Sequence, residues 1–516
     1  MELTAREQKA LEKSWAKVFA DEIFPAIDEK PFSVLYSNKS SSRPNTPINV
    51  IVGALIIKEL FDYSDDEMVE NLMLDFRMQY ALHTTHFAEQ PLSDKTLSRF
   101  RKRCYDYEKL HNQDLYQDCI KNLSASIAKI MNITGKIRRM DSMMIASNIR
   151  KLSRMELLYS CIAKLVVYLE KSTDMVLPEE MKHYTNPNDF NQVIYHQRST
   201  ETEIRIQQLL EDADKLLAFC GSDYEEVTEY ELFIRCLAEQ TTIENSVRRL
   251  RTKEDGTMQA TVLQNPSDPE ATYRVKGGTA YRGYVANLEE SVGINGSVVT
   301  DYRYEANIHS DSRFLKEHLE GIEKQEIPMT LITDGAYSGI ANVKLAESKN
   351  IEFITTSLVG REAPDILADF LFNEEGTKVL KCPAGYEPKS CSYMKQSHQC
   401  SVSFDRKQCV GCPYQEQCRP KIFKRVAKLI TSKMAHERAK IQRKMKSETF
   451  QAYARLRNGI ETIPSNLRRQ YHLEKLPRGK QRGKFFFGCK IAALNFRKLF
   501  NFKKGLGSYA QNSILT

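Results

Sequence analysis

The sequence predicts an α/β protein with a mixed sheet that helical segments interrupt. Three features of the 516-residue chain indicate this. Helical periodicity dominates residues 1–130, and it returns in the last block, 431–516. Between them, runs with strand character begin near residue 136 and resume near residue 277. We therefore expect one sheet that is assembled from distant parts of the chain.

The composition is that of an ordinary globular protein, with 41% hydrophobic and 28% charged residues. A chain of this length has room for roughly two to four domains and a large core, so its stability needs no disulfide. No apolar run approaches the roughly 20 residues of a membrane span, and the charged N-terminus lacks a signal-peptide core. We expect a cytoplasmic protein with no membrane partner.

Residues 1–130 are predicted to form a helical domain. Apolar positions recur at helical spacing over 48–60 and 68–82. A short basic helix is predicted over 96–104, where the candidate DNA contacts are Arg99, Arg101 and Lys102. Two short helices with a basic second one are typical of a helix-turn-helix DNA reader. A helical bundle with a solvated basic face explains the pattern equally well.

The first predicted strand, residues 136–146, carries a carboxylate among apolar residues. Asp141 lies in the middle of KIRRMDSMMIA. An unpaired buried charge is costly, so buried carboxylates are normally paired or bound to a metal. A capping or turn position is the alternative explanation for Asp141. Helical periodicity then returns, clearest over 157–171 and 203–220, and it indicates a helical insertion at 151–250.

After this segment the strand pattern resumes. The predicted strands and helix are 277–290, 296–306, 313–324 (helix) and a short strand that ends at Asp334. A carboxylate at the carboxyl end of a strand is where α/β proteins place catalytic groups. A further helix and a strand over 351–358 complete the sheet. Asp141 would then lie on its first strand and Asp334 at the end of its fourth.

Six of the twelve cysteines fall between residues 382 and 418. The other six stand singly in helical or apolar patterns, as reduced cytosolic thiols do. A CxxC pair with further cysteines nearby can supply four thiolates for a tetrahedral structural Zn²⁺, and the candidates are Cys382, Cys409, Cys412 and Cys418. The spacing is uneven, and His398 is another candidate ligand. Free thiols in a loop-rich subdomain, 361–430, are the alternative.

The C-terminal block is strongly basic. Residues 421–516 contain 24 Lys and Arg against 4 Asp and Glu, a net +20, so the other 420 residues sum to −12 to give the overall +8. Such density is typical of a polyanion-binding surface, which favours nucleic acid as the partner. One long helix is predicted over 436–471, followed by a basic loop and a helix over 485–500. The candidate DNA contacts here are Arg457, Arg468, Arg469, Lys480 and Arg482.

Glu461 is a single acid inside this basic stretch. Its ordinary interpretation is a solvated residue paired at i, i+4 with Arg457. If the sheet and the C-terminal helices pack together, Glu461 joins Asp141 and Asp334, although 193 positions separate the aspartates and 127 separate Asp334 from Glu461. Three carboxylates repel one another unless cations lie between them. Hard oxygen ligands suit two Mg²⁺ or Mn²⁺ ions, which can act on both the attacking and the leaving oxygen of a phosphodiester.

Three motifs carry a resemblance to a known family. They are RMDSMMIASNIRKLSR around Asp141, LITDGAYSG around Asp334 and RNGIETIPSNLRR around Glu461. Together they resemble bacterial DDE transposases of the IS4 superfamily, most of all its IS1182-type members, and the likeness covers nearly the whole chain, including the cysteine-rich stretch. The superfamily signature Tyr-x2-Arg-x3-Glu-x6-Lys is kept at Arg457 and Glu461. Ala454 stands at its tyrosine position, and Arg468 replaces its lysine.

The resemblance implies an RNase H-like core in which Asp141, Asp334 and Glu461 bind two catalytic Mg²⁺ or Mn²⁺ ions. It further implies a bacterial enzyme that cuts double-stranded DNA at terminal inverted repeats and joins the ends to target DNA as a homodimer, associated with the nucleoid. The predicted organisation is a DNA-binding domain (1–130), the core (131–150 and 251–360), a helical insertion (151–250), a cysteine-rich insertion (361–430) and basic helices that complete the core (431–516).

Two other functions remain open at the level of sequence. One is an RNase H-like nuclease that hydrolyses DNA without joining strands. The other is an inactive DNA-binding remnant of a transposase. The three acids are intact, and this counts against an inactive remnant.

Overall fold

The structure is a computed structural model that describes residues 3–36, 45–172, 176–195, 202–358, 360, 362–506 and 514–515. Its N-terminal part is helical, as predicted. The α-helices there are α1 (Ala5–Glu12), α2 (Trp15–Val18), α3 (Ile48–Phe61), α4 (Asp65–Leu74), α5 (Phe76–Ala81), α6 (Asp94–His111) and α7 (Leu115–Ile130), with a π-helix at Phe19–Ile23 and 3₁₀ turns at Phe24–Ala26 and Lys30–Leu35. Because α3 is apolar on nearly every side and almost wholly buried, it lies at the centre of this region.

Two N-terminal predictions need correction. The helix predicted over 68–82 is divided at Asp75, whose carboxylate caps α5 by accepting a 2.8 Å hydrogen bond from the Arg77 backbone N–H. The short basic helix predicted over 96–104 is the N-terminal part of the longer α6.

Strands from distant parts of the chain form one mixed sheet, and this prediction is confirmed. The strands up to residue 355 are β1 (Ile137–Ala146), β2 (Thr241–Glu244), β3 (Val247–Leu250), β4 (Thr272–Lys276), β5 (Thr279–Gly293), β6 (Gly296–Ala306), β7 (Met329–Thr333) and β8 (Ile351–Thr355). All except the β2–β3 hairpin belong to this sheet, whose order is β4-β5-β1-β7-β8, with β6 paired to β5. β5 runs antiparallel to β1, β4 and β6, whereas β1, β7 and β8 are parallel. Neither the β2–β3 hairpin nor β4, a short strand with a charged, exposed end, was predicted from the sequence.

The segment between β1 and β4 is mainly helical. It contains α8 (Arg154–Ser172), α9 (Asp189–Ile194), α10 (Thr202–Cys220) and α11 (Thr228–Gln240), with a 3₁₀ turn at Glu179–Thr185. The helices predicted over 157–171 and 203–220 are therefore confirmed. Buried side chains such as Leu158, Ile162 and Phe233 form a core that is distinct from that of the sheet.

Helices cover both faces of the sheet. On one face, α12 (Asp311–Gly321) and α13 (Ile340–Ser348) contribute to a buried hydrophobic cluster that includes Met140, Phe314 and Leu331. On the other face, Leu456 from a later helix packs with Ile332 and other sheet residues. The sheet is thus enclosed by segments that lie before and after it in the chain.

The cysteine-rich stretch has more regular structure than predicted. It contains β9 (Leu371–Phe372), β10 (Val379–Lys381), β11 (Ser390–Met394), β12 (Gln399–Asp405), α14 (Arg406–Cys409), α15 (Gln415–Cys418), β13 (Lys421–Ile422) and β14 (Val426–Thr431), after a 3₁₀ turn at Asp365–Asp369. Four of these strands form an antiparallel sheet in the order β11-β12-β14-β13. Val402 and Phe404 on β12 belong to a small hydrophobic core of this cysteine-rich stretch.

The single long helix predicted over 436–471 is wrong. The chain instead forms α16 (Lys433–Lys444), α17 (Glu448–Asn458), a 3₁₀ turn at Gly459–Glu461, α18 (Thr462–Gln470), a second 3₁₀ turn at Leu473–Lys475 and α19 (Lys480–Lys503). Ser447 ends the continuity by capping α17, because its hydroxyl accepts from the Phe450 N–H at 3.3 Å. Glu461 therefore lies in a tight turn between two helices and not in the middle of one.

α19 joins the N-terminal helices to the sheet. Its Asn495 amide accepts from the Val299 backbone N–H (3.0 Å) and donates to the Val299 carbonyl (2.8 Å) and the Ser124 hydroxyl (3.0 Å). One buried side chain thus links α19, β6 and α7. None of the helices in the described ranges has the length and apolar character needed to cross a membrane.

Candidate active site

Asp141 and Asp334 lie beside each other on neighbouring parallel strands. β1 and β7 pair Ile137 with Thr330, and the same register, continued by four residues, brings Asp141 opposite Asp334. Asp334 follows the last residue of β7 and caps a 3₁₀ turn by accepting from the Ala336 N–H at 2.9 Å. The strand order of the sheet therefore brings together two acids that are far apart in sequence.

Glu461 reaches the same place from the helical side. Arg139, two residues before Asp141 on β1, is fully buried and donates to the carbonyl of Leu456 in α17. Its guanidinium passes so close to Gly459 that a Cβ there would stand 3.1 Å from the guanidinium carbon. Arg139 and Gly459 thus fix the end of α17 against β1, and the following turn presents Glu461.

Arg457 lies at the centre of the three acids. One of its terminal nitrogens is 3.0 Å from Oδ2 of Asp141 and 3.7 Å from Oδ2 of Asp334, and the other is bonded to Oε1 of Glu461. The Arg457 side chain is 12% exposed, whereas that of Glu461 is 60% exposed. The three predicted acids are therefore brought together, with a guanidinium among them.

The surroundings of Asp141 disfavour its charge. Burial raises the pKa of Asp141, and the nearby Asp334 adds to the increase, although Arg457 and the Ser142 N–H favour the ionised form. On the neighbouring strand β5, the Asn287 side-chain amide donates to the Asp141 carbonyl (3.4 Å) and to the hydroxyl of the buried Tyr337 (2.5 Å). A carboxylate in this position is stabilised by a cation.

The acids have the donor chemistry of a magnesium site. Carboxylate oxygens are the hard ligands that Mg²⁺ and Mn²⁺ prefer, and Asp141, Asp334 and Glu461 each place one against the Arg457 guanidinium. Within the described residues, no group of three or more His, Cys, Asp and Glu side chains is arranged to hold a metal ion as it stands. The three acids fit Mg²⁺ or Mn²⁺ chemically. The Arg457 guanidinium lies between their oxygens.

The predicted DNA contacts occupy different environments. Arg99, Arg468, Arg469 and Arg482 are exposed, and Lys102 is exposed but paired with Asp106 at 2.6 Å. Lys480 pairs with Glu305 at 2.5 Å. Arg101 is 9% exposed and bonded to Asp65, so it connects α6 to α4 and does not present its charge at the surface.

Two arginines approach the end of β1 that follows Asp141. Arg468 lies 3.4 Å from the Met144 carbonyl, and Arg478 donates to the Asn148 carbonyl at 2.7 Å. Arg468 was predicted as a DNA contact, whereas Arg478, which lies in the basic loop LPRGKQRGK, was not. Arg139 was not predicted either, although two arginines inside a buried strand indicate that the strand contacts an acid or a carbonyl.

Four cysteines of the cysteine-rich stretch line one small cavity of about 30 Å³. They are Cys382, Cys409, Cys412 and Cys418, which the sequence analysis had grouped together. All four are free thiols. Burial raises the pKa of Cys418 to about 11, and the neighbouring thiols add to the increase. His398 is bonded to the Tyr393 hydroxyl (2.9 Å) and does not line the cavity.

Two protein-family models match the chain. One, described as Transposase DDE domain, matches residues 381–500, which include Arg457 and Glu461. The other, described as Transposase domain (DUF772), matches residues 7–103, the helical N-terminal region. No curated protein matches the chain, and no solved structure does.

Proposed function

We propose that this chain, a transposase of the DDE type, uses Asp141, Asp334 and Glu461 to hold two Mg²⁺ or Mn²⁺ ions for cleavage and joining of DNA. The convergence of the three acids on one guanidinium is the observation that carries this proposal. We place the chain among IS1182-type members of the IS4 superfamily, on the three motifs around these acids. Its substrates would be the terminal inverted repeats of its element and a target duplex.

The residues of this chain would act mainly by positioning. The register of β1 and β7 fixes Asp141 beside Asp334, and Arg139 holds the turn that presents Glu461. The bound ions would activate a water or a DNA 3′-hydroxyl and stabilise the departing oxygen. Arg468 and Arg478, beside the end of β1, would neutralise the backbone phosphates that lead into the site.

The proposal is tested by comparing wild type with Glu461→Gln. The assay measures Mg²⁺-dependent cleavage and joining of a duplex that carries the element's end, with DNA binding measured separately. We expect a loss of both reactions of at least about 100-fold with binding retained, because glutamine keeps the shape but is a poor metal ligand.

Glu474→Gln is the matched control. Glu474 is an exposed acid in the same basic region, and its substitution should leave both reactions unchanged. Unaltered catalysis in Glu461→Gln would return Glu461 to the solvent-exposed surface of its turn. Cleavage without joined products in wild type would instead support the nuclease alternative.

We further propose that Cys382, Cys409, Cys412 and Cys418 bind a structural Zn²⁺. Hydrogen-bonded turns present two of the thiols, since the Gly385 N–H donates to the Cys382 carbonyl (2.8 Å) and the Cys412 N–H to the Cys409 carbonyl (3.3 Å). Four thiols around one small cavity match the ligand number and type of a structural zinc site.

Elemental analysis of the purified protein tests the zinc site. We expect about one zinc per chain in wild type and loss of the metal in Cys409→Ser. Cys391→Ser, on β11 and outside the cavity, should retain zinc. A wild-type protein without zinc after growth in zinc-supplemented medium would contradict the proposal.

A further inference from the structure

Arg457 occupies the position where the three acids direct their oxygens. It contacts Oδ2 of Asp141, Oδ2 of Asp334 and Oε1 of Glu461. Its own Nε is buried and has no hydrogen-bond partner among the described residues. Among the described residues, the ion pairs of the guanidinium all go to the three acids, and no hydrogen bond from Nε anchors it.

The guanidinium and a metal ion need the same oxygen atoms. Because Oδ1 of each aspartate accepts from a backbone N–H, a cation that coordinates Asp141 and Asp334 together would use the Oδ2 atoms that Arg457 now contacts. Positive charges also repel each other, and the repulsion is stronger beside the largely buried Asp141 and Arg457 side chains than in bulk water. A metal ion can enter between the acids only if the Arg457 guanidinium moves away from them.

A DNA phosphate is a suitable alternative partner for Arg457. Arginine binds phosphate with two parallel hydrogen bonds, so a phosphate can replace the carboxylates that the guanidinium would lose. Arg457 lies near the end of α17, one turn before the exposed Glu461, and a long, flexible side chain there can turn outward. The exposed Arg468 and Arg469 follow on α18 and would attract the DNA backbone to this side.

We infer that Arg457 keeps the acids closed to metal ions until a DNA phosphate takes its guanidinium. This inference rests on the proposed function, because it requires Asp141, Asp334 and Glu461 to be the metal ligands. DNA and metal then bind with positive coupling, and each raises the affinity of the other by the same factor. Protein that is not bound to DNA would then hold little metal between the three acids.

The test measures Mn²⁺ binding to the full-length protein by electron paramagnetic resonance, without DNA and with a duplex carrying the element's end. In wild type we expect weak binding alone and an affinity about 5- to 150-fold higher with DNA, the usual range of coupling between sites. In Arg457→Gln we expect tight Mn²⁺ binding without DNA and little further gain with it. Arg455→Gln, an exposed arginine on the same helix, should behave as wild type.

Further variants separate the possible failures. Arg457→Lys keeps the charge but not the fork of donors, so its Mn²⁺ affinity without DNA should fall between those of wild type and Arg457→Gln. Circular dichroism establishes that each variant is folded. Equal Mn²⁺ affinity of wild type and folded Arg457→Gln without DNA would overturn the inference. Mn²⁺ binding that persists in Asp141→Asn would contradict the proposed metal site itself.

Discussion

Arg99 and Arg101 stand two residues apart on α6 in different environments. Arg101 is bonded to Asp65 and stacks over the Phe486 ring at 5.2 Å, whereas Arg99 is exposed. We expect Arg101→Ala to lower the free energy of unfolding by about 2 kcal/mol, because Asp65 loses a charged hydrogen-bond partner. Arg99→Ala should change it by less than about 0.5 kcal/mol and should weaken DNA binding instead.

Chemical denaturation and a salt titration of DNA binding measure these two effects. Loss of the Arg99 charge should lower the slope of log affinity against log salt by about 1 if Arg99 contacts a phosphate. If Arg101→Ala keeps wild-type stability but loses DNA affinity, Arg101 is a DNA contact after all.

The Arg139 guanidinium packs against Gly459 and leaves no room for a side chain there. A Cβ at this position would collide with it, so Gly459→Ala should move either Arg139 or the turn that carries Glu461. We expect a loss of about 1–3 kcal/mol in unfolding free energy, as for other overpacked sites, and a fall in DNA joining while DNA binding is kept.

Thermal unfolding and the joining assay test this expectation. Gln451→Ala, an exposed position on α17, is the control and should leave both measurements unchanged. A Gly459→Ala protein with wild-type stability and joining would show that Arg139 has room to move.

At the scale of elements, a buried ion cluster fastens β1 and α19 to β5. Glu290 on β5 is fully buried and bonded to Arg139 (2.6 Å) and Lys498. Although burial alone would raise the pKa of Glu290, Lys498 and Arg139 lower it from its usual 4.5 to about 2. This carboxylate therefore stabilises the fold at any pH above about 4.5, and its contribution is lost as the pH falls from there to about 2.

Glu290→Gln should remove that part of the acid dependence. The unfolding free energy of wild type, measured against pH, should fall steeply between pH 4.5 and 2, and the variant should show a shallower fall from a lower starting value. We expect a loss of about 3 kcal/mol at neutral pH, because two cations lose their buried partner. Glu320→Gln removes only a surface pair with Lys316 and should follow the wild-type curve; a Glu290→Gln curve parallel to it would contradict this account.

The sequence predicted regular elements better than their ends. Strands β5 and β6 were identified from their side-chain pattern, which alternates between apolar and polar residues in part of the strand, as over residues 301–306 of β6. The break between α17 and α18 was missed although Gly459 and Pro464 signal it, since a proline lacks the N–H that a continuous helix would need. The turn also depends on the contact of Gly459 with Arg139, on a strand 320 positions earlier. Such a contact has no local signature in the chain.

At the scale of the whole molecule, the candidate site illustrates the same limit. The sequence indicated the three acids singly, and their grouping rested on the assumption that the sheet and the C-terminal helices pack together and on the resemblance. The position of Arg457 among them depends on the register of β1 with β7 and on how α17 packs over Ile332. Pairwise spacing predicted only its contact with Glu461 at i, i+4, which is one of three.

A further property of the whole molecule is the number of active chains that the joining of two DNA ends requires. Within the described residues, each chain brings together one set of Asp141, Asp334 and Glu461. An element has two ends, so we expect concerted joining of both ends to require two active chains in a symmetric dimer. Mixing wild type with Glu461→Gln before DNA is added tests this, because the variant is expected to bind DNA but not to react.

If both chains must be active, the product with two joined ends falls as the square of the wild-type fraction. An equal mixture should then give about one quarter of the wild-type amount, whereas the product with one joined end should fall less steeply. Dilution with an inert protein instead of Glu461→Gln controls for total protein concentration. A linear decrease of the two-ended product, to about one half in the equal mixture, would mean that a single active chain processes both ends in turn.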